Sequence, residues 1–502
     1  MQSRQRAAAI LAVSAALLAG CGSQVPPNDF VGAAGVGVPA GASGSPVAGT
    51  DSNGVPVPVG SSAPDGGGSL AGGGTGEGAG GGGTGVANGG GGGGGGSGNG
   101  GGVGGDGSGN GGGGTGATGG VRAGSCAGFR NTTGISDSAI TIANVADLSG
   151  PVPGLFKSAQ AAVTAYAAYF NSTSNICGRT LKLLSLDSGT SESGDLQADT
   201  TACGAAFAMV GSLSAFDAGG VSATEDCRIP DLRTLTTEPA RYHSSMSYGV
   251  YSTAVPEIVR TPFLYFKSLG DAYKSAGYVY LNAGAAIVQE KSFTTALASL
   301  GYQFKDEIAI DVTSVPNYNG YATQLKSDGI TYVEYTGAYQ YAQKLKEAMD
   351  QQDYHPVFVL DPVAYDAGYV AAGDAVDGTY SFVPGPLFEE ANRNPELRTY
   401  IEWLQRTSGG VPTFFGVYAW CAAALFAQLA VELGGKLTRD SLLTAMRGVH
   451  NYTNNGMVPP QDPGGKHTTR CASVVQLVDG RWVRKTPYPY TCAPTVDSGV
   501  GG

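Results

Sequence analysis

The chain has 502 residues, 83 of them glycine, and a formal net charge of -11 from 40 acidic and 29 basic side chains. That balance excludes a nucleic-acid partner, because binding to a phosphate backbone is driven by counterion release from a basic surface. Once the glycine-rich part is set aside, the length that remains suffices for two lobes with substantial cores.

Arg4 and Arg6 precede a short apolar run from Ala7 to Leu18. The run is too short to span a bilayer comfortably, so residues 1–20 read as an export signal. Leu18-Ala19-Gly20-Cys21 resembles the bacterial lipobox. That resemblance implies cleavage before Cys21, a diacylglyceryl group on its sulfur, and anchoring to the outer face of the cell membrane. Residues 21–124 follow as a Gly/Ser/Pro/Ala stretch that includes the run Gly89 to Gly96 and has no Lys or Arg until Arg122. Such a segment buries too little apolar surface to offset its chain entropy, and is expected to be a disordered tether with a reach of about 50 to 60 Å. The Gly-x-Gly-x-x-Gly matches inside it carry no nucleotide signal, since no strand precedes them and no helix follows.

From Ala139 onward, short β-branched or apolar runs alternate with longer helical periods, the pattern of parallel sheets covered by helices. The strand candidates are Ala139 to Val145, Leu181 to Leu186, Ala208 to Val210, Gly277 to Leu281, Glu307 to Val312, Thr331 to Tyr335, Val357 to Leu360 and Thr379 to Val383. Between them, Lys157 to Phe170 places Ala159, Ala162, Val163, Tyr166 and Phe170 on one stripe, and Tyr339 to Gln351 carries Leu345 and Met349 four apart. Phe414 to Ala427 is almost wholly apolar but short for a membrane span, and Gln428 and Glu432 follow it. It reads as a buried core helix. Residues 495–502 read as a disordered tail.

Cysteine usage fits an oxidising compartment, since eight cysteines leave seven in the folded region once Cys21 is acylated. The expected pairs are Cys126 with Cys177, Cys203 with Cys227 and Cys471 with Cys492, leaving Cys421 free in the apolar helix. None of the seven forms a Cys-x-x-Cys pair, and the four histidines, His243, His355, His450 and His467, show no metal-ligand spacing on one helix. No Gly-x-Ser-x-Gly elbow follows a strand, and neither Gly435-Lys436-Leu437 nor Gly465-Lys466-His467 continues to the Ser or Thr of a phosphate loop. An enzyme, a metal and a cofactor are therefore not expected.

Several ordered motifs carry a further signal. The opening strand Ile140-Thr141-Ile142-Ala143 leads into Asp147-Leu148-Ser149-Gly150-Pro151, and Cys177-Gly178-Arg179-Thr180-Leu181 then enters a strand that ends at Asp187. Val210-Gly211-Ser212, Ile229-Pro230 and a long helix from Tyr418-Ala419-Trp420 to Gly434 follow in order. From Ile135 to about Gly448 the chain resembles the type I periplasmic binding protein family, in particular the substrate-binding components of branched-chain amino acid ABC transporters. The resemblance implies an α/β clamshell of two Rossmann-like lobes with parallel sheets joined by three crossovers. It implies lobe one at 125–253 plus 385–448, and lobe two at 254–384 plus 449–494.

What the family does implies a small-molecule solute held between the lobes and ABC permease subunits as membrane partners; a surface sensor or receptor without transport is the alternative. The resemblance also places the ligand contacts. Leu235 and Thr237 lie in the loop Leu235-Thr236-Thr237-Glu238-Pro239, with Thr237 at the family's threonine that touches the ligand backbone. Ser214 opens the loop after the third strand, where Ala215 and Phe216 replace the family's serines. Tyr335 and Tyr339 fall where the family offers a tyrosine, Asp361 where an acidic side chain receives an ammonium, and Phe156 where a wall of the pocket is expected. Phe156, Phe216, Tyr335 and Tyr339 together suggest a ligand larger or flatter than leucine.

Overall fold

A computed structural model describes residues 122–253 and 255–501. The expected signal segment, Cys21 and nearly all of the expected tether lie outside the described residues.

The first sheet comprises β1 (Ala139–Ala146), β2 (Thr180–Asp187), β3 (Ala208–Val210), β4 (Asp231–Arg233) and β5 (Ser247–Gly249). They run parallel in the order β2-β1-β3-β4-β5, with Ile140 opposite Leu181 and Ile142 opposite both Leu183 and Ala208. From Ile142 to its end β1 is buried at every residue, as expected of a parallel strand covered on both faces. The helices α1 (Lys157–Thr173), α2 (Glu192–Ala205), α3 (Val221–Cys227) and α4 (Pro239–His243) supply the connections between successive strands. The first has the buried stripe read from its periodicity, Ala159, Ala162, Val163, Tyr166 and Phe170.

After the short β6 (Glu257–Ile258) and α5 (Thr261–Ser268), the chain builds a second sheet. Its parallel core is β7 (Ala276–Leu281), β8 (Phe304–Ile310), β9 (Tyr332–Thr336), β10 (Val357–Leu360) and β11 (Tyr380–Val383), interleaved with α6 (Ala285–Ser299), α7 (Tyr318–Ser327), α8 (Tyr339–Gln351) and α9 (Ala367–Val370). The chain then returns to the first lobe as α10 (Pro395–Ser408), α11 (Phe414–Leu433) and α12 (Arg439–Arg447). A last passage delivers β12 (Cys471–Val478) and β13 (Arg481–Arg484) to the second sheet, which reads β13-β12-β11-β10-β9-β7-β8. The result is two α/β lobes joined by three crossovers, in the segments 250–260, 384–394 and 448–470.

Three departures from the sequence reading stand out. β12 and β13, absent from the strand candidates, add to β11 in antiparallel fashion. Their turn is Asp479-Gly480, with φ of 50° and 68°, the left-handed pair that a two-residue hairpin requires. The three-residue β5 was likewise not among the candidates, and β4 was indicated only through the resemblance, which places a strand's start at Ile229-Pro230. The expected disordered tail is corrected: beyond β14 (Thr491–Cys492), β15 (Val496–Asp497) pairs antiparallel with β6, placing Val496 opposite Ile258.

α11 starts where the Thr413 side chain accepts the Gly416 N–H at 3.0 Å. It is long and apolar enough to cross a membrane, yet it is buried on nearly all faces from Phe414 to Ala430 and packs on α1. It is the core helix that the sequence indicated. Gly211, at the exit of β3, has φ of 65°, and a Cβ there would lie 2.5 Å from Val163 and 3.4 Å from the Ala419 Cα. Only glycine lets the strand pass between α1 and α11. Three disulfides join Cys126 to Cys177, Cys203 to Cys227 and Cys471 to Cys492, and Cys421 is a buried free thiol.

Candidate functional site

A cavity of about 130 Å³ lies between the lobes at the carboxyl ends of their strands, where open parallel sheets place loops and helix starts around a crevice. The first lobe contributes Leu235, Thr236 and Thr237 from the loop after β4, and Phe414 and Phe415 from the first turn of α11. From the second come Ala285, Val288, Gln289, Ser292 and Phe293 on α6, Asp361 to Val363 after β10, and Phe382 on β11. The crossovers close it with Tyr251, Thr253, Glu257 and Thr468.

The walls are aromatic on both sides. Tyr251 meets Phe414 edge to face at 5.1 Å, while Phe382 lies 5.5 Å from Phe263 and 6.0 Å from Phe293. Such rings present apolar area at little entropic cost. Against them sits one group that an apolar wall does not explain. Asp361 is 1% exposed; its Oδ1 accepts the Val363 N–H at 3.1 Å, and its buried Oδ2 has no hydrogen-bond partner. Burial pushes this carboxyl up to about 8, against the opposing N–H groups of Val363, Gly337 and Ala364. A buried acceptor without a partner is costly unless something donates to it.

The Thr237 loop is held from below. Asp217 accepts the Thr237 N–H at 2.9 Å and the Glu238 N–H at 3.0 Å, and the Thr237 hydroxyl donates to the Ser214 carbonyl at 2.9 Å. Asp217 belongs to a fully buried cluster with Asp195, Asp199, Asp231, Arg233 and Arg241. Arg241 reaches Asp199 at 2.6 Å, Asp195 at 3.1 Å and Asp231 at 3.4 Å. Four carboxyls share two guanidiniums, and burial pushes Asp199 up to about 7 in spite of Arg241.

Of the residues singled out in the sequence, Leu235, Thr237 and Asp361 line the cavity together. The others are placed elsewhere. Phe156 stands behind the wall, packed edge to face on Phe415 at 5.4 Å. Ser214 is buried and accepts the Phe216 N–H at 3.2 Å. Phe216 lies close to Gly284, in a loop whose Ala215 carbonyl accepts the Ala285 N–H at 2.9 Å and so ties the first lobe to the start of α6. Tyr335 is buried with its hydroxyl donating to the Ala338 carbonyl at 2.9 Å. Tyr339 packs over Gly368.

The sequence reading missed the crossover residues Tyr251, Thr253, Glu257 and Thr468, the α6 face and the two phenylalanines that open α11. Only the last had a visible signal, since Phe414-Phe415 begins the apolar run. Among the described residues no group of three or more His, Cys, Asp or Glu side chains is arranged to hold a metal ion.

A family model described as periplasmic binding protein matches residues 139–481. No curated protein matches the chain. Among solved structures, the chain is similar in fold to a fatty acid ABC transporter substrate-binding protein from Thermomonospora curvata, at 19% identity and a TM-score of 0.62, over 73% of this chain and 95% of that one. A leucine binding protein from Thermotoga maritima is similar at 14% identity and a TM-score of 0.59, over 72% and 99% of the two chains. A solute binding protein of an ABC transporter from R. palustris, solved in complex with benzoate, is similar at 16% identity and a TM-score of 0.60, over 71% and 98%.

Proposed function

Because the chain belongs to the periplasmic binding protein family, whose members bind and do not transform their solutes, we propose that it is the extracytoplasmic solute-binding component of an ABC-type uptake system. A small amino-acid-like or amide-like solute enters between the open lobes and shifts the population toward the closed form. The closed form docks on ABC permease subunits in the membrane. Acylation of Cys21 holds the protein at the outer face of the cell membrane, and residues 21–124 give the lobes their reach.

One observation carries this reading, the buried Asp361 carboxyl in the lining of an aromatic-walled cavity between two lobes. A site with few polar groups on an apolar lining is what small-molecule recognition requires. The similar structures of a fatty acid transporter's substrate-binding protein, a leucine binding protein and a benzoate-bound solute binding protein support the same class.

The test is a thermal-shift screen of the full chain against amino acids, short amides, amines, aromatic acids, purines and sugars, with calorimetry on any hit. Ligand at a hundred times its dissociation constant adds about 2.7 kcal/mol of stability. A hit lost in both Thr237→Ala and Asp361→Ala establishes the reading. A folded protein silent across the whole panel overturns it.

A further inference from the structure

Several loop and helix-start N–H donors around the cavity are already committed. The N–H groups of Thr237 and Glu238 go to Asp217, that of Ala215 to Asp147 Oδ2 at 2.9 Å, and that of Val363 to Asp361. The helix start that faces the site is committed too, because the Ala285 N–H is taken by the Ala215 carbonyl. Four lining hydroxyls direct their protons to protein carbonyls: Thr237 to Ser214, Thr253 to Thr236, Ser292 to Val255 and Thr468 to Glu257. Each therefore turns only lone pairs toward the cavity.

Side-chain charge points the same way. Glu257 and Asp361 line the cavity, while none of its lining residues is Lys, Arg or His. Arg260, next in the chain to Val259, is not among the lining residues, although its buried Nε has no hydrogen-bond partner. Lys466 lies in a small adjoining pocket, where its Nζ donates to the carbonyls of Tyr242 at 2.8 Å and Ser244 at 2.6 Å. The donors that remain at the wall are neutral groups, Thr236, Tyr251 and Gln289.

A carboxylate placed here meets two acids and no cation, and the loop N–H groups that would hold it are occupied. An ammonium meets the Asp361 carboxyl and a ring of acceptors, with phenyl walls for the rest of its body. We infer that the solute is an amine with a branched or aromatic apolar body and no carboxylate, its cationic nitrogen on the Asp361 carboxylate. This inference rests on the solute-binding reading and narrows its ligand class.

Binding then carries a proton balance. The empty site holds Asp361 protonated below about pH 8, so an ammonium that pairs with it expels that proton to solvent. Affinity rises with pH by about tenfold per unit up to the carboxyl's own value and levels off above it. The groups that face Asp361 are Glu334, Tyr278 and Tyr335 on the second sheet and Tyr251 from the first crossover, with Glu257 elsewhere on the cavity wall. Burial pushes Glu334, Tyr278, Tyr335 and Tyr251 up as well.

Isothermal calorimetry on the full chain, from about pH 6 to about pH 9, decides the matter with matched triplets: isopentylamine, leucine and 4-methylpentanoate, then phenethylamine, phenylalanine and 3-phenylpropanoate. The expected result is an amine at least tenfold tighter than its amino acid and no binding of the acid. Affinity for the amine climbs with pH, and in Asp361→Asn both the binding and its pH dependence disappear. If an amino acid or an acid binds best, the ligand class is wrong while the solute-binding reading stands. If both triplets are silent the ligand class is again wrong, and the wider panel then judges the solute-binding reading.

Discussion

The Gln461 side-chain amide donates to the Tyr418 hydroxyl at 3.1 Å inside the seam between the lobes, and that hydroxyl donates in turn to the Pro384 carbonyl. Gln461 Oε1 also accepts the Ser252 N–H at 3.0 Å. Ser252, Pro384 and Gln461 belong to the first, second and third crossovers, so one buried amide with one phenol stitches all three together. Gln461→Leu keeps the volume and leaves a buried N–H and a buried hydroxyl with fewer partners. The expected loss is about 1–3 kcal/mol, read as a lower urea midpoint. An unchanged midpoint would show that the crossovers hold without this link.

Arg241 is the centre of the buried cluster under the Thr237 loop, and three of its four aspartates lie within 3.4 Å of it. Removing one partner of a buried ion pair leaves uncompensated charge. Arg241→Met is expected to cost about 3–5 kcal/mol in denaturant unfolding. The deficit should grow as pH rises through about 7, where Asp199 releases its proton, because the remaining charge then rests on Arg233 alone. A deficit independent of pH would mean that the carboxyls do not share the charge as described.

Asp361 makes an opposite prediction for the empty protein. Its folded value, about 8, stands above the ordinary 3.8. Below about pH 4 the carboxyl is protonated whether folded or not, and contributes nothing. Between about pH 4 and pH 8 the unfolded chain releases the proton while the folded protein keeps it, so rising pH lowers stability, by at most about 1.4 kcal/mol per unit. Above about pH 8 the full penalty is present and constant. Asp361→Asn keeps an oxygen to accept the Val363 N–H and abolishes the titration. The variant should match the parent near pH 4 and exceed it in melting temperature near pH 8. A stability difference of equal size at both pH values would remove Asp361 as its source.

How far the sequence could be read depended on the scale of the feature. Long periodic elements such as Lys157 to Phe170 declare themselves, because their apolar spacing matches one geometry, and a short bounded apolar run such as Val357 to Leu360 reads as a buried strand by its composition. Three-residue strands such as Asp231–Arg233 have no period to show, and they carry buried charge where a core strand is expected to be apolar. The Asp479-Gly480 turn was visible as residue types, but the strand before it is bonded to β11, about a hundred positions away in the chain, and the strand after it only to that first strand. At the site, Thr237 and Asp361 follow strand ends, where a family resemblance transfers well. Tyr335 lies within a strand, where a step of one residue turns a side chain to the opposite face. The crossover residues that close the cavity were unreadable because their meeting is a property of the three crossovers together.

The C-terminal strap supplies the last prediction. β15 pairs with β6, Ser498 donates its N–H to the Pro256 carbonyl at 2.6 Å, and its hydroxyl meets Ser292 of α6 at 3.0 Å. Three residues on, the Gly501 carbonyl accepts from His243 Nε2 at 2.7 Å, on α4 of the other lobe. The strap therefore crosses from one lobe to the other beside Glu257, Ile258 and Ser292, which line the cavity. Ser498→Pro removes the N–H and the hydroxyl while leaving Val496 and Asp497 unaltered. Hydrogen exchange in a peptide spanning 255–260 should accelerate about tenfold, since each lost hydrogen bond contributes about 0.5–1.5 kcal/mol to local closure. Exchange in β3, far from the strap and buried throughout, should stay as it was. Acceleration in both places would mean that the substitution loosens the whole fold, and no change in either would mean that β6 keeps its place without the strap.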